Sequence, residues 1–152
     1  MLVHRLKYQG LEEVASLLGG LMAERIPAGT LALVPVPRAR LRRVRYGIDP
    51  AEELARAVNR QTGLPIQRLL RAAVWWPRHA ARSREGRRPP RFEQRAGAGA
   101  GLVLIDDVAT SGATLEAAAR AIGCDIRQGM VATAPGRMGR QAFADAGEVA
   151  WR

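Results

Sequence analysis

The segment Leu102-Val103-Leu104-Ile105-Asp106-Asp107-Val108-Ala109-Thr110-Ser111-Gly112-Ala113-Thr114 constrains this chain more than any other part of it. Four apolar residues lead into two adjacent carboxylates. A short loop of small and hydroxylated residues follows, and a helical pattern starts near Ala113. The apolar run reads as a strand buried on both faces, as in a parallel sheet. A strand that ends in acid and turns into a helix N-terminus has the layout of an anion site at the carboxyl edge of an α/β sheet.

The residue types suit that chemistry. Ser111, Gly112 and Ala113 are small, so their backbone N–H groups can converge on one anion. Thr110, Ser111 and Thr114 add hydroxyl donors. The helix beginning near Ala113 contributes the positive end of its dipole, worth roughly 0.3–1 kcal/mol. Asp106 and Asp107 repel a phosphate, but they accept hydrogen bonds from vicinal hydroxyls or help hold a hydrated Mg²⁺. A ribose 5-phosphate carries both kinds of group. The plainer alternative is a buried strand that ends in Asp-Asp before a capped helix. A cap needs only one acceptor and does not call for the whole array.

Upstream, Leu11, Val14, Leu17, Leu18, Leu21 and Met22 fall at helical spacing, and Ile26-Pro27 with Gly29 ends that helix. Leu31 to Val36 reads as a buried strand that Pro35 keeps short. Pro37 to Gly47 is a basic loop. A second helix follows, with Asp49 as N-cap and Pro50 in its first turn; Leu54 and Val58 mark its apolar side. Gly63 and Pro65 end it, and Ile66 to Leu70 is a short strand candidate. Residues 71–100 mix arginine, proline and a Gly-Ala run with weak apolar periodicity, which reads as a long loop or lid. Gly97 to Gly101 precedes a strand, whereas a dinucleotide fingerprint follows one. Leu115, Ala118, Ala119 and Ile122 mark a helix ending at Gly123, and Ile126 to Thr133 another strand. Phe143, Val149 and Trp151 suggest a last short helix and an edge strand. This alternation predicts a single α/β domain over residues 1–152, with a mainly parallel, twisted sheet covered on both faces and the lid at about 71–100.

Composition excludes several classes. No apolar run approaches the ~20 residues that span a bilayer, and the first residues lack a signal-peptide apolar core, so the expectation is a cytoplasmic protein without membrane insertion. Cys124 is the only cysteine and reads as an inert core thiol. His4 and His79 have no ligand-like spacing, which argues against a histidine metal site. A P-loop is excluded because no Gly-Lys-Ser/Thr occurs. The net charge is +10, with Lys7 the only lysine among 24 basic residues. Such a chain favours polyanions, from a phosphorylated small molecule to nucleic acid.

The 102–114 segment closely resembles the phosphoribosyl pyrophosphate signature of type I phosphoribosyltransferases. Asp106 and Asp107 match the family's ribose-contacting acids, and Val108 through Thr114 cover its 5-phosphate loop. The upstream half is similar to ComF-like members: His4-Arg5-Leu6-Lys7-Tyr8-Gln9-Gly10, Val34-Pro35-Val36-Pro37-Arg38, and Arg42 through Tyr46-Gly47 to Ala55. By position, Val36, Pro37 and Arg38 correspond to the pyrophosphate loop, with Arg38 the leading candidate and Arg42 and Arg45 behind it. Each of these arginines reads equally as part of a solvated loop.

The resemblance implies a type I phosphoribosyltransferase fold with an Arg-rich lid. It implies Mg²⁺ as cofactor, held mainly through the ligand with Asp106 and Asp107 in reach, and Asp106 and Asp107 as the catalytic pair. The ligand would be phosphoribosyl pyrophosphate or a nucleoside monophosphate, and the acceptor a nitrogenous base. The alternative is a non-catalytic ligand-binding protein of the ComF type acting in DNA uptake. Single-stranded DNA, competence proteins and a homodimer are the partners this admits. The chain departs from the family in three places. It lacks the N-terminal four-cysteine zinc module, as a short relative or a fragment would; it carries Asp49-Pro50 where Asn-Gln is usual; and it has no clear counterpart of the lid glutamine near Arg78-His79.

Overall fold

A computed structural model describes residues 2–37, 49–72, 91–95, 97, 99–109, 112–123 and 125–133, with backbone alone over 2–12 and at 133. Arg38, Arg42, Arg45, His79, Thr110, Ser111, Cys124, the stretch 73–90 and the C-terminal Phe143, Val149 and Trp151 lie outside the described residues.

The elements run α1 (Leu2–Ala23), β1 (Ala32–Pro35), α2 (Pro50–Thr62), β2 (Leu70–Ala72), β3 (Phe92–Gln94), β4 (Leu102–Val108), α3 (Ala113–Ile122) and β5 (Ile126–Thr133). Strands β1, β4 and β5 form a parallel sheet in the order β1-β4-β5. The apolar runs make its interior: Leu33, Val34, Val103, Leu104 and Ile105 are fully buried. Strand alternation sorts them between two layers. Ala32, Val34, Leu102 and Leu104 face α3 through Leu115, Ala118 and Ile122. Leu33, Val103 and Ile105 face α1 and α2 through Ala15, Met22, Leu54, Ala55 and Val58. The α/β class with a helix-flanked parallel sheet is therefore present. No helix among the described residues is long and apolar enough to cross a membrane.

Helix ends fall where local chemistry puts them. Asp49 occupies the N-cap position of α2 with Pro50 in the first turn, and Gly63 closes the helix at φ 72°. Gly123 closes α3 in the same left-handed conformation, its N–H on the carbonyl of Ala119.

Three expectations change. Helix α1 buries only part of the expected face: Met22 is buried and Leu18 packs against the core, but Val14, Leu17 and Leu21 are exposed, while Ala15 and Gly19 face inward. Small residues let α1 lie close to α2, and close approach outweighs bulk in choosing the face. The candidate strand at 66–70 divides: Ile66 makes a single parallel bridge to Leu33, and the chain then leaves β1 to form β2. The limits of the 71–100 lid also shrink, because β2 and β3 pair antiparallel, Leu70 with Gln94 and Ala72 with Phe92, and the pair packs on α3.

The two kinds of leucine should respond differently to substitution. Leu33→Ala removes a fully buried side chain from the sheet and is expected to cost about 2–5 kcal/mol in denaturant unfolding. Leu17→Gln changes an exposed position and is expected to stay within about 0.5 kcal/mol of the parent. Equal losses at both positions would contradict the orientation of α1.

Candidate functional site

The sheet's connections pick out one place on its carboxyl edge. Beyond β1 the chain passes through α2 and returns at Ile66, on the edge of β1 away from β4. From β4 it passes through α3 to β5 on the opposite side. Neighbouring parallel strands whose connections diverge leave a crevice between their carboxyl ends, where α/β sheets bind ligands. Val36 and Pro37 lie on one side of it and Asp106 onward on the other. They are held in register by the Val36 N–H bonding the Ile105 carbonyl at 2.9 Å.

The acids are not placed as a run-off from the strand. Pairing of Asp106 with Val131 and of Val108 with Thr133 carries β4 through both carboxylates. Alternation then sends Asp106 to the side of Leu104 and α3, and Asp107 to the side of Ile105 and α2. Asp106 is buried, 5% exposed, and its Oδ1 accepts the backbone N–H of Asp107 at 2.9 Å. Asp107 is half-buried. The two carboxylates therefore differ in role: Asp106 braces the end of the strand, and Asp107 is the more open to a ligand.

Val108 is exposed and Ala109 buried, so Ala109 anchors the loop while Val108 borders solvent. The loop ends at Gly112, a buried N-cap of α3 with φ 77° and ψ −11°. The first helical bond runs from Glu116 N–H to the Gly112 carbonyl at 3.0 Å. The N–H groups of Ala113, Thr114 and Leu115 precede that bond and have no intrahelical acceptor. Together they make the donor end of a helix at the mouth of the crevice. Thus Asp106, Asp107, Val108, Ala109, Gly112, Ala113 and Thr114 come together with Val36 and Pro37 on one edge.

Two cations stand at this edge that the sequence did not single out: Arg68, and Arg95, which it placed only within the Arg-rich lid. Arg68 and Arg95 line a pocket with Pro35, Pro37, Asp49, Glu52 and Leu70, on the far side of β1 from the acids. Arg68 grips the Glu52 carboxylate from two nitrogens, Nε to Oε2 at 3.3 Å and Nη2 to Oε1. The available signal was Pro35, which stops the ladder on that side of β1. Among the described residues no group of three or more His, Cys, Asp or Glu side chains is arranged to hold a metal. In comparisons with known proteins, the chain matches no family model and no curated protein.

Proposed function

We propose that the chain is a phosphoribosyltransferase that binds phosphoribosyl pyrophosphate with Mg²⁺ and transfers the phosphoribosyl group to a nitrogenous base. The observation that carries this reading is the crevice between β1 and β4. It brings to one sheet edge a carboxylate and a helix N-terminus whose first N–H groups lack an intrahelical acceptor, as a molecule with both ribose hydroxyls and a 5-phosphate requires. The resemblance of residues 102–114 to the family signature gives the reading its substrate.

In this reading Asp107 accepts hydrogen bonds from the ribose hydroxyls and fixes the ring. Asp106 holds the end of β4 straight beneath it. As pyrophosphate departs, positive charge develops on the ring, and the fixed negative charge of the two acids stabilises it. The N–H groups at the start of α3 hold the 5-phosphate, so the sugar is tied at both ends and its anomeric carbon points toward Val36 and Pro37. Asp106 and Asp107 are the carboxylates that would reach a Mg²⁺ carried on the ligand, an ion that usually keeps several waters and substrate oxygens. When bound, the ion neutralises the leaving diphosphate. A binding protein without turnover would share all but the last step, and release of pyrophosphate against a panel of nucleobases separates the two.

Asp107→Asn keeps the shape and removes the charge. It is expected to weaken Mg²⁺-dependent binding of phosphoribosyl pyrophosphate about tenfold or more while the thermal midpoint stays near the parent's. Calorimetric titration reads this directly, and equal affinity in variant and parent sinks the ribose contact.

A further inference from the structure

The pocket beyond β1 exists because of one residue. On that edge the parallel ladder starts normally: Leu33 N–H bonds the Pro65 carbonyl at 2.9 Å and Gln67 N–H bonds the Leu33 carbonyl at 2.8 Å. The next donor on β1 would be residue 35, which is proline and has no N–H. The ladder ends there, and the chain from Arg68 turns to β3, where Arg95 N–H bonds the Leu69 carbonyl at 2.8 Å. The gap left at the end of β1 is walled by Pro35, Pro37 and Leu70, and Arg95, Asp49 and the Arg68–Glu52 pair also line it.

The charges in this gap can be rearranged. Arg95 makes no ion pair among the described residues. Arg68 is held by Glu52, but Glu52 also has Arg56 at 3.6 Å, one turn along α2. If Arg68 leaves, Glu52 still has a cation beside it. Both guanidiniums are exposed, so moving them costs little desolvation. An arginine fork can donate to a phosphate the same two parallel bonds it gives the Glu52 carboxylate, and a diphosphate brings more negative charge than that single carboxylate.

Position supplies the rest. Strands β1 and β4 are neighbours, about 4.8 Å apart as adjacent strands are, so the acids on β4, the end of β1 and the pocket beyond it follow one another across the edge, with α3 starting after the loop from β4. A sugar held by its 5-phosphate at α3 and its hydroxyls at β4 directs a diphosphate on its anomeric carbon over Pro37 and into the gap. We propose that Arg68 and Arg95 receive the outer phosphate of that diphosphate, and that Glu52 holds Arg68 until the anion displaces it. This inference rests on the phosphoribosyl reading above and adds to it an anion-exchanged ion pair on the outer side of β1.

The probe is inorganic pyrophosphate, titrated calorimetrically into the parent chain and into Arg95→Ala, Arg68→Ala and Glu52→Gln, with circular dichroism to verify folding. Affinity is expected to fall about tenfold in Arg95→Ala and in Arg68→Ala. It is expected to rise severalfold in Glu52→Gln, because the competitor for Arg68 has lost its charge. A purely structural ion pair would give no such rise. Pyrophosphate that does not bind the parent overturns the proposal, as does an affinity unchanged in both Arg95→Ala and Glu52→Gln. A second arm titrates phosphoribosyl pyrophosphate with Mg²⁺ into the parent, Asp107→Asn and Arg95→Ala. Loss in Asp107→Asn with no change in Arg95→Ala keeps the ribosyl reading and overturns this one. Pyrophosphate binding that needs Arg95, beside phosphoribosyl pyrophosphate binding indifferent to Asp107, supports the two-arginine anion site and removes the ribosyl reading.

Discussion

Gly112→Val is expected to abolish binding of ribose 5-phosphate while leaving the chain folded. Gly112 is buried at the turn from β4 into α3, with φ at 77°. An L-residue in that region costs roughly 1–2 kcal/mol, and a β-branched one is a worse fit still. Two responses are open to the variant. It can hold the strained backbone and carry a branched side chain at the buried turn that opens α3, beside the first N–H groups of the helix. Otherwise it can relax φ to negative values, which turns the Gly112 carbonyl away from Glu116 N–H and displaces the first turn of α3. Either response destroys the donor array. The rest of α3 stays anchored by Leu115, Ala118 and Ile122 on the sheet, so the loss is local and the thermal midpoint falls by only several degrees. Gly112→Ala should show the same strain with less obstruction, and weakened but measurable binding. Calorimetric titration beside a thermal melt reads both effects. Retained binding in Gly112→Val would place the anion elsewhere on the molecule.

Much of this edge was legible because its signals are local. The apolar run 102–105 cannot be solvated, and Gly123 and Gly63 stand where left-handed helix ends need them. What sequence did not disclose depends on partners distant along the chain. The sequence marks β4 as a strand that ends in acid, but only its pairing with Val131 and Thr133 carries it through both acids and separates their directions. The strand β3 is three residues in a stretch without periodicity, and only Leu70 to Ala72 across the sheet makes it a strand. Arg68 and Arg95 resembled every other exposed arginine until Pro35 was seen to break the ladder beside them. For α1, the bulky residues advertised a face, but contact with α2 favoured Ala15 and Gly19. Hydrophobicity alone does not separate a face that packs by area from one that packs by closeness.

That distinction gives the second large effect, an opposite outcome at two adjacent glycines of α1. Both Gly19 and Gly20 lie inside the helix, where glycine costs about 1 kcal/mol relative to alanine. A Cβ built at Gly20 meets nothing within 4 Å, so Gly20→Ala is expected to stabilise the chain by about 0.5–1 kcal/mol. A Cβ built at Gly19 falls well inside van der Waals contact with the Cβ of Ala57 and lies 3.2 Å from the Ala57 carbonyl carbon. The neighbour is backbone and a side chain with nowhere to rotate, so one helix must move. Overpacking of this kind costs about 1–3 kcal/mol, which exceeds the propensity gained, and Gly19→Ala is therefore expected to destabilise. Gly19→Leu should cost more, because the added atoms must push α2 away from Leu33 and Ile105 beneath it. The displacement also reaches the site, since the first turn of α2 carries Glu52, the residue that holds Arg68. Urea unfolding of the two alanine variants is the decisive comparison. Opposite signs follow if the Gly19–Ala57 crossing sets the distance between α1 and α2, and two stabilised variants would mean that the helices do not touch there.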